Sequence, residues 1–355
     1  MDMNWKKSSE NKPVGVIGIG SFGTAISNLL AEKNNVLVYA RDEAVVKAIN
    51  ETHMVKNRKL AESIRATTDP EMICDSCDVM FPMIPSAAFR EVMVRFAPFL
   101  HPYHFLIHGT KGLSLSLPEG KDLGNIKKIR RKNISTMSEV ILEETVVERI
   151  GCLAGPNLAK ELLENQPGAT VIASRYNEVI REGQRLLRSD NFQVYGNSDI
   201  VGVELSGVLK NIIAIASGAL SGLGLGDNAK GLLISRGMVE LVYLGKAMGG
   251  STQSFLGLAG VGDLVTTCNS TLSRNFTLGY RLAKGERLTD IVADMEEVAE
   301  GVNTVKLINL FLESTDLRAP ITENLYKVLF EDLKVEDALQ NLMKIPIYTD
   351  IDFFD

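Results

Sequence analysis

Pro13 is followed by Val14-Gly-Val-Ile17, a short β-branched run, and this pattern predicts a first strand. Comparable runs recur at 35–41 (NVLVYAR), 78–84 (DVMFPMI), 104–110 (HFLIHGT) and 170–174 (TVIAS). Stretches with apolar residues at helical spacing lie between several of them, as from Ala25 to Leu30. Strands alternating with helices predict parallel βαβ units in an α/β sheet. After about residue 195 the strand-like runs thin out and long helical patterns take over. The predicted organisation is a flexible N-terminal extension over 1–12, an α/β domain over 13–195 and a helical domain over 196–355. Residues 118–133 read as a charged surface insertion, because a basic run such as KKIRRK is ordinarily a solvated loop. There is no internal repeat and no low-complexity segment.

Composition narrows the classes. With 355 residues, 45% apolar and 23% charged, the chain has the balance of a globular protein with room for about two domains. A net charge of −6 argues against generalised nucleic-acid binding. No apolar run reads as long enough to span a bilayer; the best candidate, 212–225, is broken by Gly and Ser. The N-terminus has no apolar signal core, so a cytoplasmic protein is expected. The four cysteines are too few for a disulfide framework. Cys74 and Cys77 form a lone C-x-x-C without a second pair or a suitably spaced His, so no metal site is expected.

The chemistry begins at VGVIGIGSFGTA, which holds Gly18-x-Gly20-x-x-Gly23. A strand precedes the motif, a helix follows and a second strand comes next, the context required of a dinucleotide cradle. Gly18 permits the tight turn, Gly20 lets a pyrophosphate approach the backbone, and Gly23 lets helix and strand pack. The second strand ends in YARDE. An acid there suits a ribose hydroxyl and an Arg suits a 2′-phosphate; Arg41 and Asp42 are both present, so NAD(H) and NADP(H) stay open.

A second feature is ELSGVLKNIIAIASG at 204–218. At 100° per residue, Leu205, Val208, Leu209, Ile212, Ile213, Ile215 and Ala216 fall on one half. Glu204, Gly207, Lys210, Asn211, Ala214, Ser217 and Gly218 fall on the other. This second face is small and polar, with room for something to lie against it. A buried ammonium is costly unless it is paired or used with a shifted pKa. Further on, GLAGVGDLVTTC places three glycines ahead of Asp263, and STLSRNF offers Ser273, Arg274 and Asn275 in a row. An Arg flanked by hydroxyl and amide donors suits a phosphate or carboxylate.

Together these motifs resemble the bacterial NAD(P)-dependent glycerol-3-phosphate dehydrogenases over nearly the whole chain. GIGSFGTA, HGTKGL, GPNLAKEL, GVELSGVLKNIIAIASG, GLGLGDNAK, GLAGVGDLVTTC, LSRN and EVAEGVNT occur in the family's order. The resemblance implies a Rossmann domain, then an all-α domain of the 6-phosphogluconate dehydrogenase-like type, with the active site between them. It implies reversible reduction of dihydroxyacetone phosphate to sn-glycerol 3-phosphate, for phospholipid synthesis, and a homodimer. By the same resemblance Lys210 is the catalytic lysine, taking the C2 hydroxyl proton in oxidation and returning it in reduction. Asp263 orients it or the substrate, and Lys111 touches substrate and cofactor. Gly155, Asn157, Ser273, Arg274 and Asn275 match substrate contacts. Ser21, Phe22, Arg41, Ala159, Arg274, Val298 and Glu300 match cofactor contacts beside the three glycines.

Two positions depart from the family pattern: Asn157 replaces a common Ser or Thr, and Phe22 stands where an indole or phenol ring is common. The histidines at 53, 101, 104 and 108 match no catalytic motif and read as structural. Two other readings compete. A dehydrogenase for a 3-hydroxy acid or 6-phosphogluconate is disfavoured by LSRN following GVGDL. A nucleotide-sensing module without catalysis is disfavoured by the joint presence of Lys210, Asp263 and Arg274.

Overall fold

The computed structural model describes residues 12–116, 126–295, 299–346 and 350. Most of the expected N-terminal extension, residues 117–125 of the basic insertion, and Val298 lie outside the described residues. The chain divides into two compact units: Met1–Thr110 with Met137–Ile200, and Lys111–Thr136 with Val201–Asp355.

The first unit is built on eight strands: β1 (Val14–Ile17), β2 (Val36–Tyr39), β3 (Ile64–Thr67), β4 (Val79–Pro82), β5 (Phe105–His108), β6 (Arg149–Ala154), β7 (Gly168–Ser174) and β8 (Phe192–Asn197). They are ordered β8-β7-β6-β5-β4-β1-β2-β3. Neighbours from β3 to β6 are parallel. β7 runs antiparallel to β6, and β8 is parallel to β7. The 3-2-1-4-5-6 portion is the doubly wound Rossmann arrangement, with its switch point between β1 and β4. Strands β1 and β2 are buried at every position, as expected where helices cover both faces of a parallel sheet. Val16, Val38, Phe81, Ile107, Leu153 and Ile172 belong to one apolar core.

Three sheet strands escaped the sequence pattern, each for a local reason. β3 is only IRAT, and Arg65 interrupts its apolar run. β6 contains Gly151, where a Cβ would meet Val179 Cγ1 at 2.9 Å; the glycine lets a helix approach but weakens the strand signal. β8 is an edge strand alternating buried Phe192 and Val194 with exposed Gln193 and Tyr195. It runs across residue 195, so the first unit extends to Ile200 rather than ending there.

The second unit is mostly helical, but not wholly so. Leu113–Leu115 pairs antiparallel with Ile134–Thr136. Leu113, Ile129 and Ile134 share a core with Leu205, Leu209 and Ile308, which is why residues 111–136 join this unit instead of the sheet. The described part of the basic insertion is anchored, contrary to a simple solvated loop. Ile129 N–H donates to Leu310 O at 3.0 Å, Ser314 Oγ donates to Ile129 O at 2.7 Å, and Arg131 Nε donates to Met248 O at 2.9 Å. Lys127, Lys128, Arg130 and Lys132 are exposed.

The helix Ile200–Gly222 runs through this unit. It is long and apolar enough to cross a membrane, unlike the sequence expectation, yet 89% of its apolar window is buried inside the protein. Its small face does not stand open: protein covers it. A Cβ on Gly218 would lie 1.9 Å from Phe276 O, and one on Gly279 would lie 1.8 Å from Ile215 O. The helix Arg274–Ala283 therefore crosses it backbone to backbone. Ser217 Oγ donates to Cys268 O at 2.7 Å and stitches a third helix, Asp263–Asn269, to the same face.

Candidate functional site

In the first unit, β1 runs into the glycine turn at the sheet's switch point. Gly18 has φ +103°, and a Cβ there would meet Met83 O at 2.8 Å. A Cβ on Gly23 would meet Gly18 O at 2.2 Å, so the turn and the helix Ser21–Ala31 close on each other only without side chains. Gly20 is exposed, and a Cβ there would meet nothing within 4 Å. The surface above Gly20 is thus open to an approaching group, and the helix first turn contains no acidic residue. Backbone N–H groups and the positive helix end favour a pyrophosphate at such a place. The residues fit a dinucleotide on these grounds.

The half-buried Phe22 ring lies against Gly109, whose Cβ would meet Phe22 Cε1 at 2.7 Å. Thr110 Oγ1 donates to Ile84 O at 2.6 Å, tying the ends of β4 and β5 together. Beyond β2, Asp42 is engaged: its Oδ1 accepts Ala44 N–H at 2.8 Å and caps the helix Glu43–Thr52. Arg41 is exposed and pairs with no carboxylate among the described residues. Gly155, with φ +150°, lies where a Cβ would meet Ala169 O at 3.1 Å. The Asn157 amide sits 2.9 Å from Thr170 Oγ1, so part of its hydrogen-bonding capacity serves the fold. Ala159 opens the helix Ala159–Leu163, which packs on Ser21–Ala31.

In the second unit, Lys111, Lys210 and Asp263 come together. Lys210 Nζ donates to Asp263 Oδ1 at 2.5 Å, and Lys111 Nζ donates to Asp263 Oδ2 at 2.7 Å. The Lys210 and Asp263 side chains are 5% and 2% exposed, whereas Lys111 is 23% exposed. Asp263 is presented by a π-helical turn, Leu258–Gly262, a local irregularity that often marks function. The turn is possible because Gly260 packs on the Phe255 backbone, where a Cβ would lie 1.8 Å from Phe255 O.

The sequence reading missed Thr267. Its Oγ1 accepts from Lys210 Nζ and donates to Asp263 O at 2.6 Å. The i,i+4 spacing of Asp263 and Thr267 on one helix face was the available signal. An ammonium has three donors. Two of those on Lys210 are held by Asp263 and Thr267, and the third meets no acceptor among the described residues.

Burial, opposed by Asp263 and reinforced by Lys111, brings the Lys210 ammonium down to about 8. Burial alone would raise the Asp263 carboxyl, but Lys111 and Lys210 outweigh it and hold that group below the ordinary value. Two ammonium groups share the Asp263 carboxylate. Such a cluster can exchange a proton near neutrality and stabilise a developing oxyanion.

The Ser-Arg-Asn run is partly structural. Ser273 Oγ accepts Phe276 N–H at 3.3 Å and caps its own helix. Asn275 Oδ1 accepts Gly301 N–H at 3.0 Å, holding the start of the helix Glu300–Leu312. A Cβ on Gly301 would lie 2.6 Å from Asn275 Oδ1 and 3.1 Å from Asn211 O, so those three residues converge. Glu300 is half-buried at the first position of that helix, and Arg274 is exposed.

Cys268 is buried on the helix that carries Asp263, whereas Cys74, Cys77 and the four histidines lie in the first unit. His104 accepts His101 N–H and lies 3.0 Å from Cys74 O; His108 lies 3.0 Å from Ser138 Oγ. Cys74 and Cys77 are buried, and burial pushes both thiols up, Cys74 to about 12. No group of metal-ligating residues occurs among the described residues.

A doubly wound sheet with an open glycine turn, together with a buried lysine–aspartate pair in a helical unit, defines the class of nicotinamide-nucleotide-dependent oxidoreductases. Comparison narrows this. Residues 13–180 match the family described as the NAD-dependent glycerol-3-phosphate dehydrogenase N-terminus, and residues 199–340 match its C-terminus. A glycerol-3-phosphate dehydrogenase [NAD(P)+] of Staphylococcus saprophyticus is 41% identical over 93% of this chain and 97% of its own. One from Staphylococcus aureus is 38% identical over the same shares. A crystal structure of glycerol-3-phosphate dehydrogenase from Coxiella burnetii superposes with a TM-score of 0.82 at 30% identity, covering 94% of this chain and 99% of that one. The chain belongs to the NAD-dependent glycerol-3-phosphate dehydrogenase family and is an oxidoreductase.

Proposed function

We propose that the protein catalyses the reversible NAD(P)H-dependent reduction of dihydroxyacetone phosphate to sn-glycerol 3-phosphate. The observation that carries this reading is the Lys210–Asp263–Lys111 cluster, in a chain 41% identical to an enzyme named for that substrate. A bound nicotinamide supplies or accepts the hydride. Lys210 handles the proton: in reduction its third N–H points at the developing C2 alkoxide and delivers the proton, and in oxidation the neutral amine removes it. Asp263 and Thr267 hold that amine in place. Lys111 brings a second ammonium to the same carboxylate, on the side where the oxyanion develops.

Arg274, with its planar fork, binds the substrate phosphate. Ser273 and Asn275 shape the turn around it, and Gly155 and Asn157 contribute to substrate contact. Gly18, Gly20, Ser21, Phe22 and Gly23 cradle the cofactor, with Arg41, Ala159, Val298 and Glu300 contributing further contacts. Arg41, whose neighbour Asp42 is committed to a helix cap, is the group suited to a 2′-phosphate, so NADP(H) is accepted beside NAD(H). We place the enzyme in the cytoplasm as a homodimer, supplying glycerol phosphate for phospholipid synthesis.

The test is the loss of NADH or NADPH absorbance on adding dihydroxyacetone phosphate to purified protein. Rapid oxidation supports the reading and ranks the cofactors. Cofactor binding without oxidation would overturn it.

A further inference from the structure

The first unit carries a cluster of cationic side chains away from the glycine turn. A surface cavity of about 340 Å³ is lined by Lys33, Arg181, Gln184, Arg185, Arg188 and Val194. Lys33 lies two residues past the helix Ser21–Ala31, and the arginines lie on or just after the helix Asn177–Leu187. The glycine turn sits at the opposite end of Ser21–Ala31, and eleven helical residues span about 16 Å. The cavity is therefore not part of the dinucleotide cradle.

The lining is organised. Lys33 Nζ donates to Arg188 O at 2.7 Å, which fixes its ammonium at the rim. Gln184 Nε2 donates to Val194 O at 3.2 Å and ties helix to strand β8. Arg185 makes a two-pronged pair with Glu182, at 2.9 and 2.6 Å, and is neutralised by it. Lys33, Arg181 and Arg188 pair with no carboxylate among the described residues, and no carboxylate lines the cavity.

Cations at helix C-termini have an ordinary role, offsetting the negative end of each helix dipole. Here two helix ends supply together about one negative charge, at about half a charge each. Glu182 supplies another. With exposed Glu32 beside Lys33 and exposed Asp190 two residues past Arg188, the surroundings are close to neutral overall. What distinguishes the lining is that Lys33, Arg181 and Arg188 have no carboxylate partner among the described residues. Guanidinium forks without a carboxylate partner match phosphoryl oxygens.

We propose that this cavity is a second anion site, which takes a small molecule bearing one or two phosphoryl groups and binds it independently of the nicotinamide cofactor. The experiment is calorimetric titration of inorganic diphosphate into the full chain at fixed ionic strength, with NADH and sn-glycerol 3-phosphate both saturating so that the cofactor cradle and the phosphate site assigned to Arg274 are filled. One diphosphate binds per chain, and Arg181→Ala/Arg188→Ala weakens it at least ten-fold without changing cofactor affinity. Lys127→Ala/Lys128→Ala, which removes two exposed cations from the other unit, leaves the affinity unchanged. Absence of binding at millimolar diphosphate, loss of binding when NADH saturates, or equal weakening in both double variants would each overturn the proposal. Should the arginine double variant not fold, Arg181→Gln and Arg188→Gln singly carry the same expectation.

Discussion

Lys210 Nζ lies 2.5 Å from Asp263 Oδ1, with both side chains almost wholly buried. An isolated ammonium at that depth would cost several kcal/mol, and the aspartate offsets this. Asp263 also holds Lys111 on its other oxygen, so one carboxylate is shared between two ammonium groups. The arrangement keeps a lysine buried, positioned and poised to change protonation.

Lys210→Ala removes the proton-transfer group and leaves the glycine cradle intact. Turnover should fall by about 10²- to 10⁴-fold, with cofactor affinity retained. Steady-state kinetics together with cofactor fluorescence titration measures both. Near-normal turnover would remove Lys210 from the mechanism.

The depressed Lys210 value sets a pH profile. Oxidation of sn-glycerol 3-phosphate needs the neutral amine, so its rate should rise with pH through about 8. Reduction of dihydroxyacetone phosphate needs the ammonium and should fall over the same interval. Asp263→Asn removes a group that raises the Lys210 value, so both limbs should move to lower pH. An unmoved profile would point to another titrating group.

Stability follows from the same shift. Between about 8 and the ordinary 10.5, the unfolded chain holds the Lys210 proton and the folded chain does not. The contribution of this group to stability therefore rises with pH across that window and is constant below it. Lys210→Met should flatten that rise in denaturant titrations at pH 8 and pH 10.

Arg41 is exposed while Asp42 caps a helix. Arg41→Ala should raise KM for NADPH about ten-fold and leave KM for NADH nearly unchanged, because only the former carries the 2′-phosphate. Equal effects on both cofactors would count against a 2′-phosphate contact.

Gly279→Ala tests the helix crossing. A Cβ there would lie 1.8 Å from the Ile215 carbonyl oxygen, and two helix backbones would have to separate. A loss of about 3 kcal/mol or more is expected by chemical denaturation, at the upper end of overpacking costs. Gly20→Ala, whose Cβ meets nothing within 4 Å, should leave stability nearly unchanged and weaken cofactor binding instead.

The local sequence determined those features whose cause is local. The turn after β1 could be read directly, because close backbone approach excludes side chains at Gly18 and Gly23. The largely apolar strands β1, β2, β4 and β5 were visible for the same kind of reason, since a doubly covered strand writes its burial into nearly every residue. The lysine on a largely apolar helix stood out because burying a charge is costly anywhere in a chain.

What only the tertiary structure decided is where distant residues meet. Lys111, Lys210 and Asp263 are far apart in the chain, and nothing periodic links them; packing brings their charges to one point. The small face of the lysine helix looked open by composition, but small residues also admit another backbone, and Phe276 and Cys268 take that space. Residues 111–136 belong to the helical unit because Leu113, Ile129 and Ile134 find their apolar partners there. Burial is a property of the assembled fold, and a sequence window contains only one side of each contact.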